Sequence, residues 1–315
     1  MFSLTDLQHA AEVVSAYLPE TPQLNWPLLS RRVGAEVWVK HENHLPTGAF
    51  KVRGGVWLAH HLRQSGNARA LISATRGNHG QSLGWAGTRF GLPVTIVVPH
   101  GNSPEKNAAM RACGVRLIEH GVDFEEARDE AHRRAAEDGL RFVPSFGPEL
   151  VQGVSTYAFE LFRRTPPLDA VYVPIGLGSG ICGTILVRDL LGLPTKVIGV
   201  QSTGADCYAR SFLAGTLVPG NRAETRADGI AVRQPDPEAL RIILKGADRI
   251  VTVSDTAIAS AIRAYWTDTH NLVEGAGAAP LAALLQDAAV MQGKRVALIA
   301  SGGNLDLAAF RDWVT

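Results

Sequence analysis

At 315 residues and a formal net charge of +1, the chain is long enough for two domains and carries no charge excess to make nucleic acid or an anionic membrane its main partner. Hydrophobic residues at 46% and charged residues at 19% exclude a disordered chain and leave a globular one with a substantial core. Three scattered cysteines, Cys113, Cys182 and Cys207, exclude a disulfide framework or a zinc cluster and point to a reduced, cytoplasmic setting.

The first residues, MFSLTDLQHAAEVVSAYL, include acidic side chains and lack a basic start followed by an apolar run, so no signal peptide is expected. A strand is expected at 36–41, and the stretch 42–55, ENHLPTGAFKVRGG, follows it. Read alone, its Lys51 is a solvated lysine at the start of an amphipathic helix. Strands are then expected at 69–74, 93–99 and 115–119, with a glycine loop, SATRGNHGQS, spanning 73–82. The heavily charged run at 123–138 reads as a helix with a solvated face.

A charge-free stretch at 170–187 is long enough to imitate a membrane span, but its glycines split it into strand, loop and helix. The strand at 169–175 leads into the loop PIGLGSGICG at 174–183, and further strands are expected at 196–202, 249–254 and 294–301. A helix is expected at 255–269, and the last strand runs into the loop ASGGNLD at 300–306. Short β-branched strands alternating with longer helices predict an α/β protein with open, mostly parallel sheets and helices on both faces. The segment 68–145 is expected as a small domain set into a larger one made of 1–67 and 146–315.

Ligands of such folds lie beyond the carboxyl ends of the strands, so the loops there carry the functional reading. Each loop alone is ordinary turn chemistry. The 176–180 loop lacks the Gly-Lys-Ser/Thr of a nucleoside-triphosphate site, and its Gly176, Gly178 and Gly180 do not form a clean dinucleotide fingerprint. Backbone N–H groups gathered at a helix start suit one phosphate dianion. A lysine nucleophile, a phosphate cradle and polar strand ends together suggest pyridoxal 5'-phosphate.

With these motifs in this order, the chain resembles the fold-type II pyridoxal-phosphate enzymes, in particular the threonine/serine dehydratase and serine racemase branch. That resemblance implies a two-domain, tryptophan synthase beta-like architecture. It implies that Lys51 forms the Schiff base, that Phe50 packs on the cofactor ring, and that Asn78 meets the ring's phenolic oxygen. Backbone amides of Gly176, Leu177, Gly178, Ser179 and Gly180 would hold the phosphate, and Ser301 would face the pyridine nitrogen. Gly229 would leave room on the other ring face, with Glu274 near the substrate. The substrate carboxylate would meet the loop of Thr75, Arg76, Gly77, Asn78 and His79. Lys51, with its pKa lowered in a desolvated site, would remove the Cα proton, and the cofactor phosphate would supply the proton to the departing hydroxyl.

The sequence departs from that branch in three places. A small residue, often serine, is usual where Arg76 stands; arginine stays protonated, so racemisation ranks low. Arg76 would instead clamp a carboxylate, stack on an aromatic substrate group, or face solvent. Gln201 and Cys207 stand where carboxylates would hold a divalent cation, so no metal site is expected, and Asp206 reads as a surface group or helix cap. No appended regulatory domain and no feedback control of the biosynthetic type are expected.

The leading reading is a dehydratase/ammonia-lyase that converts threonine or serine to a 2-keto acid and ammonia. A bulkier substrate such as 3-phenylserine, a β-replacement synthase, an amino-acid racemase and a silent binding protein are the alternatives. The partner expected is a small amino acid, with homodimerisation carried by the resemblance.

Overall fold

Runs of valine and isoleucine bounded by glycine or proline make the strands. The computed structural model describes residues 2–314 and contains ten strands among them. These are β1 (Gln23–Asn25), β2 (Glu36–His41), β3 (Leu71–Ala74), β4 (Val94–Val98), β5 (Arg116–Glu119), β6 (Arg141–Phe142), β7 (Ala170–Pro174), β8 (Lys196–Ser202), β9 (Arg249–Val253) and β10 (Arg295–Ala300). All eight expected strands are present within a residue or two. The two additional ones, β1 and β6, are only three and two residues long.

The strands form two sheets. One has the order β5-β4-β3-β6 and is parallel throughout. The other has the order β1-β2-β10-β7-β8-β9, parallel except for the antiparallel edge strand β1. Each sheet reverses its winding once. In the first, the chain moves outward from β3 through β4 to β5 and returns to the far side of β3 as β6. In the second, it moves from β7 through β8 to β9 and returns to the far side of β7 as β10. A reversal of this kind leaves a crevice at the carboxyl ends of the two strands that flank it.

The chain divides into two units, one of residues up to Pro19 with Leu45–Val154, the other of Glu20–His44 with the chain from Ser155 onward. The expected 68–145 segment lies inside the first unit, which also takes in 45–67 and 146–154. Packing explains the difference. Helix Lys51–Ser65 presents Gly54 and Gly55 to its neighbours: a Cβ on Gly54 would lie 2.9 Å from the Leu150 carbonyl oxygen, and one on Gly55 would lie 2.4 Å from Ser82 Oγ. Its Val52, Val56, Leu58 and Leu62 join one apolar cluster with Ala10, Val14, Leu83, Leu92 and Ile96. The second unit has its own core, in which Val37, Val39, Tyr172, Val200 and Leu298 from the sheet pack with Ile262, Leu281 and Leu284.

The charged run at 123–138 forms helix Phe124–Glu137 as expected, with Asp123 Oδ1 accepting the Glu126 N–H at its start. Ala127 and Ala131 are buried while Arg133 and Arg134 pair with Glu130 along the outer face. The stretch that imitates a membrane span is β7, a glycine loop and helix Ser179–Leu190. Among the described residues no helix is long and apolar enough to cross a membrane.

Gly153 tests the packing of the first unit. A Cβ there would come within 2.6 Å of both the Arg53 carbonyl oxygen and Trp57 Cβ. Gly153→Val is expected to cost about 1–3 kcal/mol by overpacking, read as a lower urea midpoint with an unchanged slope.

Candidate active site

The reversal beside β3 gathers three chain segments of the first unit. From the end of β3, Thr75 accepts the Gly77 N–H on its hydroxyl at 3.3 Å, and helix Asn78–Phe90 begins. Gly80 in its first turn cannot be larger, since a Cβ would lie 2.4 Å from Met110 Sδ. Asn102 Nδ2 donates to the Arg76 carbonyl at 3.2 Å and to Asn107 Oδ1 at 2.6 Å, which fixes the loop backbone. The Arg76 side chain is exposed.

Lys51 opens helix Lys51–Ser65, and Ser82 Oγ donates to its carbonyl at 2.7 Å, tying the two helix starts together. The half-buried amine donates to the Ser145 carbonyl, just past β6, at 3.4 Å and stands 5.6 Å from the Phe50 ring centroid. Lys51, Phe50, the 75–79 loop and the chain after β6 therefore converge on one crevice.

His79 lies under this loop, 3% exposed. It bonds the Val143 carbonyl, which also accepts from Ser73 Oγ at 2.6 Å, while its Nε2 has no hydrogen-bond partner. The Val143 bond is thus made by Nδ1–H, leaving Nε2 as an unprotonated acceptor. Burial, together with the Lys51 charge, pushes the imidazole pKa down to about 3, so His79 is neutral at neutral pH.

The second reversal gathers the remaining expected residues in the second unit. After β7 the chain turns through Gly176, Leu177 and Gly178, the last at φ 102, and enters helix Ser179–Leu190. None of the N–H groups from Gly176 to Gly180 donates to another group among the described residues. The carbonyls are held from behind: Tyr208 Oη donates to Leu177 at 2.9 Å and Tyr157 Oη to Gly180 at 2.8 Å. A Cβ on Gly176 would strike the Gly229 carbonyl oxygen at 2.3 Å, and one on Gly229 would meet Ala276 Cβ at 2.7 Å. Glu274 is buried at the start of helix Gly275–Gln286, with its N–H donating to the Gly302 carbonyl at 2.9 Å. Ser301 lies buried at the end of β10. Gly176, Gly229, Glu274 and Ser301 thus belong to one connected cluster.

A nest of undonated amides at the start of a helix fits a phosphate group. A lysine amine at the other reversal is chemically suited to an aldehyde. Each set of residues, within its own unit, thus fits one end of pyridoxal phosphate: the nest its phosphate, the amine its aldehyde.

Gln201 has a structural job. Its Oε1 accepts the Ala209 N–H at 2.9 Å, and its Nε2 lies 3.9 Å from Cys207 Sγ, so it holds helix Cys207–Ala214 to β8. Asp206 pairs with Arg210 at 2.9 Å rather than capping that helix with its side chain. A polar cavity of about 560 Å³ lies nearby, and its Asp206–Arg210 and Arg222–Glu224 pairs satisfy one another. Sequence reasoning missed Tyr157, Tyr208, Asn102 and Ser145, whose roles rest on contacts 23 to 94 residues away in sequence.

A family profile described as "Pyridoxal-phosphate dependent enzyme" matches residues 14–302. The L-threonine ammonia-lyase of Thermotoga maritima is 33% identical over 308 residues, covering 98% of this chain and 77% of that protein. The beta-hydroxyaspartate dehydratase of Paracoccus denitrificans is 32% identical over 303 residues, covering 96% of each. The solved processed form of threonine deaminase isoform 2 from Solanum lycopersicum superposes with a TM-score of 0.91 at 28% identity, over 99% of this chain and 93% of that one.

Buried neutral histidines make stability depend on pH. His79 titrates near pH 3 when folded, and His41, buried with its Nε2 accepting from Trp26 Nε1 at 2.9 Å, is pushed down to about 4. The unfolded chain takes up these protons near pH 6.5, so stability falls as pH drops below that value and levels off near 3 to 4. At pH 5 each histidine is expected to cost about 2 kcal/mol relative to neutral pH. Urea unfolding at pH 7 and 5 measures the sum, and His79→Gln should remove about half of the loss.

Proposed function

The chain belongs to the pyridoxal-phosphate dependent enzyme family, and from that premise we propose a lyase that converts a β-hydroxy-α-amino acid of the threonine or serine type to a 2-keto acid and ammonia. The observation that carries the reading is the Lys51 amine, held by the Ser145 carbonyl beside the 75–79 loop at the strand-order reversal. The relatives named for threonine and β-hydroxyaspartate support the same substrate class.

In this reading Lys51 would hold the cofactor through its aldehyde group, and Phe50 would pack against it. The undonated amides of Gly176, Leu177, Gly178, Ser179 and Gly180 hold the phosphate. Asn78 would meet the phenolic oxygen, Ser301 would face the pyridine nitrogen, and Gly229 would leave room for the ring. When bound, the cofactor supplies an electron sink that acidifies the Cα–H of an attached amino acid.

The chain's own groups do the rest. Thr75 and the N–H groups of the 75–79 loop would orient the substrate's α-carboxylate, Arg76 would meet another part of the substrate from the same loop, and Glu274 would orient the leaving group or water. The Lys51 amine, when not bonded to the cofactor, would take the Cα proton. Ser301 offers a hydroxyl rather than a carboxylate to the ring nitrogen, which favours loss of a β-leaving group over transamination. Loss of the Cα proton together with the β-hydroxyl amounts to loss of one water, and the enamine so formed would take up one water to give the keto acid and ammonia. The three free cysteines support a cytoplasmic setting. A homodimer is the assembly carried over from the family resemblance.

The assay is keto-acid formation from threonine, serine, 3-hydroxyaspartate and 3-phenylserine. Turnover of at least one is expected; turnover of none, with β-replacement activity present, would sink the reading. Lys51→Ala should abolish turnover and leave no borohydride-reducible adduct on the protein, while a normal rate in that variant would refute the role of Lys51. Gly178→Val forces a side chain into φ 102 with Ala239 Cβ 2.8 Å away. It should weaken cofactor binding by about tenfold or more, read by absorbance titration of the apoprotein.

A further inference from the structure

Arg76 occupies an electrostatically unusual place. It stands two residues before helix Asn78–Phe90, where the unpaired N–H groups already make the potential positive. A cation there works against the helix and in favour of a bound anion. Its guanidinium makes no hydrogen bond, ion pair or ring contact among the described residues. Arg32, Arg133, Arg241 and Arg249, in contrast, all pair with carboxylates. Only the backbone of Arg76 is fixed, through the Asn102 bond to its carbonyl.

A second cation borders the same loop. The aliphatic part of Lys106 passes over Gly77, so that a Cβ there would come within 3.0 Å of Lys106 Cδ. The loop also offers the His79 and Gly80 N–H groups, which donate to nothing among the described residues. One carboxylate is served by these amides together with Thr75. The cofactor phosphate is already assigned to the 176–180 amides. What remains is a long, planar, bidentate donor suited to a further carboxylate.

We infer that Arg76 determines specificity for a substrate whose β-carbon bears a second carboxylate, making the substrate an amino acid of the 3-hydroxyaspartate class. The inference rests on the lyase reading above and narrows it. Stacking of Arg76 on an aromatic substrate group would use the guanidinium face but not its N–H donors, which meet no acceptor among the described residues.

The test compares kcat and KM for L-threo-3-hydroxyaspartate, L-threonine and 3-phenylserine in the wild type, Arg76→Ser and Arg76→Lys holoenzymes. Calorimetry with succinate and propionate, a dicarboxylate and a monocarboxylate that cannot react, gives a second readout. In the wild type, kcat/KM for hydroxyaspartate should exceed that for threonine by about tenfold or more. Arg76→Ser should collapse the ratio by about tenfold, mainly through KM, with Arg76→Lys intermediate. Succinate should bind more tightly than propionate to the wild type and lose that advantage in Arg76→Ser.

A wild type without the preference, or a ratio that survives Arg76→Ser, overturns the inference. So does a phenylserine preference that Arg76→Ser removes, which would favour stacking. Keto acid from threonine with an unmoved ratio leaves the lyase reading standing and removes only this inference. No keto acid from any β-hydroxy amino acid removes both.

Discussion

One constraint organises the whole chain: a parallel sheet that grows outward on one side and then returns to the other must leave a gap where its direction changes. Helices cover the sheet on either side of that gap, and the loops leaving the flanking strands cannot close it. The chain does this twice, beside β3 and beside β7. At each gap the backbone leaves a helix start with N–H groups that nothing among the described residues accepts. The chemistry suggested for this molecule is what those two sets of loops can do with an anion.

The small residues follow from the same geometry. Gly176 must be small because the Gly229 carbonyl lies against it, and Gly80 because Met110 and Thr75 do. Gly178 adopts a backbone conformation that side chains resist. Behind the 176–180 loop, the hydroxyls of Tyr157 and Tyr208 take up two carbonyls, so that the loop turns its donors outward. Tyr208 Oη also accepts the Asp236 N–H at 2.9 Å, linking the loop to the start of helix Pro237–Gly246. A flexible loop would lose entropy on ordering around a phosphate; this one is already ordered.

Much of this was legible in the residues themselves. The 255–269 helix is the observed Asp255–Thr269, and the strands with glycine loops at their ends all form, because local periodicity and turn chemistry decide such elements. The edge strand β1 pairs only with β2, and the two-residue β6 exists only because β3 lies beside it, so neither has a local signature. The extension of the first unit to 45–67 and 146–154 has no local signature either. Gly54, Gly55 and Gly153 look like helix weakeners in sequence, and only their tight contacts show that they bind helix 51–65 to its neighbours. Gln201 read as a damaged cation ligand, whereas its amide spans from β8 to the Ala209 N–H, a contact eight residues distant that no spacing rule announces.

The neutrality of His79 bears on how a lysine beside it can act. Two cations in a poorly solvated crevice repel strongly, because little water is present to screen them. A charged imidazole under the 75–79 loop would press the Lys51 amine toward its unprotonated form but would itself have to be buried as an ion. The fold avoids this cost by giving Nδ1–H to the Val143 carbonyl and leaving Nε2 bare. The imidazole then adds no positive charge beside the Lys51 amine. An amine that must alternate between bonding a carbon and carrying a proton is better served by such a neighbour than by a second titrating cation. The sheet reversal that makes the crevice also determines this state, since Val143 directly follows β6 on the returning side of β3.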